Sequence, residues 1–190
     1  MSRRRLLLSS CIVASVLSGA LLLAQNAPRR EPEVPYVPTT DPAVDAMLKL
    51  ADVKSSDVVY DLGCGDGRIV ITAAKKYGAH GVGIDINPER IKEAKENARK
   101  AGVENLVRFE ENDLFQADIH EASVVTLFLL SSVNLRLRPK LQQELKPGTR
   151  IVSNTFDMGD WKPEKQAEVA GAEQSYLSHK LYFWTIAERR

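Results

Sequence analysis

The chain has 190 residues, with 26 Lys and Arg against 25 Asp and Glu and a net charge of +1. That balance supplies no basic face to neutralise a phosphate backbone, which speaks against nucleic acid as a partner. Two cysteines, Cys11 and Cys64, and three scattered histidines give neither a disulfide framework nor a ligand spacing for a metal.

Arg3-Arg4-Arg5 precedes an apolar run from Leu6 to Ala24. Charge followed by apolar residues is the layout of a signal peptide or signal anchor, and as a helix the run would cover about 30 Å, the thickness of a hydrocarbon core. Residues 1–27 are therefore expected to be a signal peptide or a membrane anchor. The protein is then membrane-associated or exported, with the side of the membrane left open by Arg29 and Arg30 on the far flank. Residues 28–41 are Pro-rich and read as an extended linker or pre-core segment containing Tyr36. Residues 42–190 remain as one domain of about 150 residues, long enough for a sizeable core.

Asp41-Pro42 begins a helix with Val44, Met47, Leu48 and Ala51 on one face. From Val58 to Gly67 the chain reads VVYDLGCGDG, a buried strand that ends at Asp61 and empties into the turn Gly63-Cys64-Gly65-Asp66-Gly67. Glycines tolerate positive φ and carry no Cβ, so such a turn lets backbone come close to a ligand. A helix follows through Ile69, Val70, Ala73 and Ala74 to Gly78. A dinucleotide fingerprint would need a third glycine where Arg68 stands, so NAD is the poorest candidate.

Gly81 to Ile86 reads as a second buried strand, and its Asp85 lies 24 residues after Asp61, one strand–helix–strand unit on. A carboxylate there can accept hydrogen bonds from both hydroxyls of a ribose. Asn87-Pro88 starts an amphipathic helix that runs to Ala101 and stops at Gly102. A third strand, Leu106 to Glu110, leads into Asn112-Asp113-Leu114-Phe115. The continuous apolar run Ser123 to Leu130 suits a central parallel strand covered on both faces. A helix over Leu135 to Leu145, a strand over Arg150 to Ser153, and further strands near Ala167 to Ala170 and over Leu181 to Ala187 complete the pattern. The alternation predicts an α/β fold: a doubly wound, Rossmann-like, seven-stranded, mostly parallel sheet with an antiparallel last strand.

The D-x-G-x-G-x-G pattern of Asp61 to Gly67 resembles motif I of the class I S-adenosylmethionine (SAM) methyltransferases. The wider run, from VPYVPT through DLGCGDGRIVITAA, GVGIDINP, NDLF and VVTLFLL to PGTRIVSNTFDMGDW, is similar to a narrower group over about residues 34 to 187. These are small bacterial relatives of the mitochondrial lysine methyltransferases that act on the ATP synthase c-subunit and the adenine nucleotide carrier.

The resemblance implies SAM as cofactor. It places Asp61, Gly63, Cys64, Gly65 and Gly67 at its methionine end, Asp85 and Ile86 at the ribose, and Asp113 and Leu114 at the adenine. Tyr36 would fold over the site on the substrate side. Where many amine methyltransferases carry Asp/Asn-Pro-Pro-Tyr, this chain has Leu129-Leu130-Ser131-Ser132-Val133-Asn134. Asn134, Asn154 and Asp157 are the candidate catalytic residues on the acceptor side, with Trp161 as an apolar wall for a lysine stem. The implied reaction is methyl transfer to a protein lysine, a lysine of a membrane protein among them, by a monomer that uses no metal. A small-molecule N- or O-methyltransferase and a SAM-binding module without turnover are the competing readings.

Overall fold

The structure, a computed structural model, describes residues 36–169 and 180–188. Helices α1 (Asp41–Leu50), α2 (Arg68–Tyr77), α3 (Pro88–Ala101) and α4 (Ser131–Glu144) alternate with strands of one sheet. The strands are β1 (Val58–Leu62), β2 (His80–Asp85), β3 (Val107–Glu111), β4 (Val124–Leu127), β5 (Arg150–Asn154), β6 (Lys165–Glu168) and β7 (Lys180–Thr185).

The sheet order is β3-β2-β1-β4-β5-β7-β6. Pairing is parallel from β3 across to β5, and β7 runs antiparallel to both β5 and β6. The expected seven-stranded doubly wound sheet is present. The order reverses between β1 and β4, and a crevice opens outside the carboxyl ends of strands at such a switch point.

Alternation along the strands divides the core. Val59, Val124 and Val152 pack with α1, α2 and α3 on one face, whereas Tyr60, Leu62, Val125, Leu127 and Ile151 pack with Val133, Leu137 and Leu141 of α4 on the other. The central strands read as unbroken apolar runs because both faces are covered. Helix ends follow local chemistry. The Asn87 side chain accepts from Glu89 N at the start of α3, Pro88 is its first residue, and Gly102 closes it at φ +70°.

Two boundaries differ from expectation. The apolar run Ser123 to Leu130 is strand only as far as Leu127, because the Leu130 carbonyl already accepts from Val133 N and Asn134 N at the start of α4. Helix α4 consequently begins at Ser131, four residues early, and contains Pro139. Pro139 leaves the carbonyl of Leu135 without its helical donor, and Leu135 is exposed.

No helix among the described residues is long and apolar enough to cross a membrane. The longest, α3 and α4, have 14 residues each, about 21 Å against a hydrocarbon core of about 30 Å. The expected signal peptide or anchor, residues 1–27, lies outside the described residues.

Candidate cofactor and acceptor site

Three successive parallel strands deliver the three predicted acids to one edge. Asp61 lies in β1, Asp85 ends β2, and Asp113 follows β3 by two residues. The Gly63–Gly67 turn between β1 and α2 has positive φ at Gly63, Gly65 and Gly67. Gly63 N and Cys64 N both donate to the Ile84 carbonyl, at 2.8 and 2.9 Å, which ties the turn to the end of β2. One oxygen of Asp85 accepts from Gly65 N at 2.9 Å and the other from Asn87 N at 2.9 Å. Asp85 therefore fixes the turn and the start of α3 together, and its remaining lone pairs stay available to a ligand.

The glycines serve different ends. A Cβ on Gly67 would lie 2.6 Å from the Phe109 ring, and one on Gly83 would lie 2.8 Å from Cys64 Sγ. Those two allow the helix and the neighbouring strands to approach. A Cβ on Gly65 would instead lie 2.4 Å from Cε2 of Tyr36. The Tyr36 ring thus covers the turn, with the Arg90 guanidinium 4.6 Å from its centroid. Arg68 holds the same segment down: it donates to the Thr39 carbonyl at 2.8 Å and forms a forked pair with Asp66. Burial alone would raise the Asp66 carboxyl, but hydrogen bonds from Arg68 hold it below the usual range.

Asp61 is buried, and Thr126 Oγ1 donates to it at 2.8 Å. Burial pushes its carboxyl up to about 7 despite that bond, and the charges of Asp85 and Asp66 push the same way. The Cys64 thiol is free and buried, raised far above its ordinary value by desolvation and then by Asp61; it is a packing residue, not a nucleophile. A buried carboxyl such as Asp61, which burial disfavours in its ionised form, gains from a cation beside it. SAM carries two positive centres, an ammonium and a sulfonium, so the donor set and the glycine turn fit it. Asp113 Oδ1 accepts from Phe115 N, and the half-buried Leu114 packs against the α4-side core. Ile86 is half-buried directly after Asp85.

The acceptor-side candidates separate. Asn134 and Asn154 are fully buried, whereas Asp157 is exposed and accepts from Gly159 N. Asn134 Nδ2 lies within 3.2 to 3.3 Å of Ser153 Oγ and the carbonyls of Phe156 and Asp157. Trp161 lies against Trp184 with the rings tilted at 43° and their centroids 5.8 Å apart, and its carbonyl accepts from Trp184 Nε1. Four features carried no sequence signal: Thr126 beside Asp61, Arg68 as a clamp, a strained Thr155, and a ring pair of Phe128 with Phe156. Among the described residues no cluster of His, Cys, Asp or Glu could hold a metal.

Comparison with known proteins identifies the family. Residues 61–165 match the family model described as the ANTKMT methyltransferase domain. A protein-lysine N-methyltransferase of Saccharolobus islandicus is 49% identical over 160 residues, 84% of this chain and 98% of that protein. The human lysine N-methyltransferase of the ATP synthase c-subunit is 33% identical over 131 residues, and the match spans 69% of this chain but only 55% of that protein. A crystal structure described as an RNA methyltransferase from Salinibacter ruber, in complex with S-adenosyl-L-homocysteine (SAH), is 55% identical with a TM-score of 0.76. It covers 81% of this chain and 96% of that one. The expectation of a membrane-associated or exported protein is corrected: the archaeal relative, matched over 98% of its own length, is a protein-lysine N-methyltransferase, and among the described residues no helix is long and apolar enough to cross a membrane.

Proposed function

Because this chain belongs to the ANTKMT methyltransferase family and is a SAM-dependent methyltransferase, we propose that its acceptor is the side-chain amine of a protein lysine. The observation that carries the reading is the 49% identity to a protein-lysine N-methyltransferase over 98% of that protein's length. It is supported by an acid-lined glycine turn that fits a cofactor with two positive centres.

When bound, SAM supplies an electrophilic methyl group on a positively charged sulfur. The chain's own residues do the rest. The Gly63–Gly67 turn would let backbone come close to the cofactor, Asp61 would meet its positive charge, Asp85 would take the ribose hydroxyls, and Asp113 with Leu114 would border the adenine. Tyr36, with Arg90 over its ring and its segment held by the bond from Arg68 to the Thr39 carbonyl, would cover the turn and shield the bound group from water. A lysine must attack as the free amine, so burial of its head group at the carboxyl end of β4 lowers its pKa and releases the proton to solvent. Asp157, the exposed member of the acceptor-side trio, meets the incoming ammonium; Asn134 and Asn154 shape the loop from within. One chain supplies all of these groups, so a monomer suffices.

A second reading, an RNA acceptor, is favoured by the description of the Salinibacter ruber structure. The near-neutral charge of this chain argues the other way. Incubation with methyl-labelled SAM and a cell extract divided between protease and ribonuclease treatment separates them. Label lost on proteolysis and recovered as methyl-lysine is the expected outcome. Label lost on ribonuclease treatment overturns the lysine reading for RNA, label in the low-mass fraction overturns it for a small molecule, and tight SAM binding with no transfer leaves a binding module.

A further inference from the structure

The residues between β5 and the 157–160 loop are held in an unfavourable conformation. Thr155, a β-branched residue, has φ +67°, and Phe156 N donates to the Asn154 carbonyl across it at 2.8 Å. That is the positive-φ form of the γ-turn, rare because it is strained. Such conformations persist only where the surroundings over-determine them, and here they do. The Phe156 carbonyl accepts from Ser153 Oγ at 2.6 Å and from Asn134 Nδ2 at 3.2 Å, and Thr155 N donates to the Lys180 carbonyl at 2.8 Å. Two buried side chains and a neighbouring strand thus fix one residue.

The side chain so placed is not a core residue. Phe156 is half-buried, and it stacks on half-buried Phe128, with centroids 6.1 Å apart and 28° between the planes. Phe128 follows directly on β4, and β4 lies next to β1 with its glycine turn. The pair therefore stands at the carboxyl edge, beside the switch point, where the acceptor must meet the cofactor. Aromatic faces attract cations within about 6 Å of the ring centroid, and alkylated ammonium groups most readily because they shed water easily.

We propose that Phe128 and Phe156 form the wall on which the acceptor's cationic head rests, and that Asn134 acts as a positioning residue by holding Phe156 in place. The assignment rests on the lysine reading above and names the residues that would recognise that amine. It also gives Asn134 a role that needs no contact with substrate, as its complete burial requires.

The test uses the full chain, deuteromethyl-labelled SAM, and heat-denatured total protein from a bacterial lysate as the acceptor pool. Phe128→Leu and Phe156→Leu are expected to slow transfer at least tenfold at limiting acceptor, to recover to within threefold at saturating acceptor, and to bind SAH within twofold of wild type. Tetramethylammonium chloride, compared with sodium chloride at equal ionic strength, should inhibit the wild type at least threefold more than the leucine variants. Asn134→Leu should raise the acceptor KM, and combining it with Phe156→Leu should add nothing further, since both act through one ring. Should a leucine variant hold SAH but make no product, Phe128→Tyr and Phe156→Tyr must keep the tetramethylammonium sensitivity. Equal inhibition of all forms, an additive double variant, or tyrosine variants that lose the sensitivity overturns the proposal while leaving lysine methylation intact. A wild type that labels no lysine overturns both.

Discussion

Thr126 and Asp61 stand in register on adjacent parallel strands, both buried, with the threonine hydroxyl donating to the carboxylate at 2.8 Å. This bond is what partly offsets the burial that raises Asp61 to about 7. A carboxyl whose pKa is higher folded than unfolded binds its proton more tightly in the native state. Its contribution to stability is thus complete below about pH 4 and lost as pH climbs through about 7. Without ligand, thermal stability should fall across that window, and Asp61→Asn should flatten the fall. A cationic ligand reverses the preference by favouring the ionised form. SAM affinity should therefore rise about tenfold from pH 6 to pH 8, with no such rise in Asp61→Asn. Calorimetry across pH reads both.

Thr126→Val keeps the shape of the side chain and removes the donor. A hydrogen bond to a charged group is worth about 1.5–3 kcal/mol, so the Asp61 titration should move further up in pH. SAM binding should weaken most at neutral pH and recover at pH 9. A uniform loss at every pH would mean that Thr126 acts through packing instead.

Asp85→Asn tests the second acid. Its two oxygens accept from Gly65 N and Asn87 N, and an amide can present an acceptor to only one of them. Loss of a charge-assisted bond at about 1.5–3 kcal/mol corresponds to at least tenfold weaker SAM binding. Because the Asn87 side chain caps α3 independently, the melting temperature should drop by only a few degrees. Unchanged affinity in a folded variant removes Asp85 from the cofactor site.

The cofactor half of the candidate site is legible in sequence because its chemistry demands residue types at fixed spacing. A strand–glycine–helix turn needs Gly63, Gly65 and Gly67, and each following strand ends in an acid one unit later. The acceptor half left no such mark. Phe128 extends an apolar run that reads as uninterrupted strand, and only the capture of the Leu130 carbonyl by α4 ends the strand at Leu127. Thr155 is a residue type that propensity would never place at positive φ, and hydrogen bonds that hold it there come from 21 and 25 residues away, at Asn134 and Lys180. Arg68 could be read only as a missing glycine, although it clamps Thr39 across 29 residues of chain.

Two glycines in the same turn should respond differently to alanine. At Gly67 the new Cβ meets the Phe109 ring and Ala94 Cβ, at 2.6 and 3.0 Å, inside the core. Overpacking together with positive φ should cost about 2–4 kcal/mol, read as a loss of melting temperature. At Gly65 the obstacle is Tyr36, 46% exposed and able to swing out. Gly65→Ala should therefore retain most of its stability yet lose cofactor affinity, and Tyr36→Ala should partly relieve the stability loss without restoring binding.

Arg68→Ala releases the segment that covers the turn. Arg68 donates to the Thr39 carbonyl and to Asp66, and burial of the pair is only partial, so the stability loss should stay near 1 kcal/mol. The larger effect should be local. Amide hydrogen exchange over residues 36–40 should quicken by an order of magnitude or more while β1 and β4 keep their protection, because local opening draws on fewer bonds than global unfolding. If the Tyr36 segment retains bound SAM, the dissociation rate should rise with little change in association rate. Arg68→Lys discriminates charge from geometry: it preserves the cation but cannot fork to Asp66 while reaching Thr39, and should dissociate SAM nearly as fast as the alanine variant.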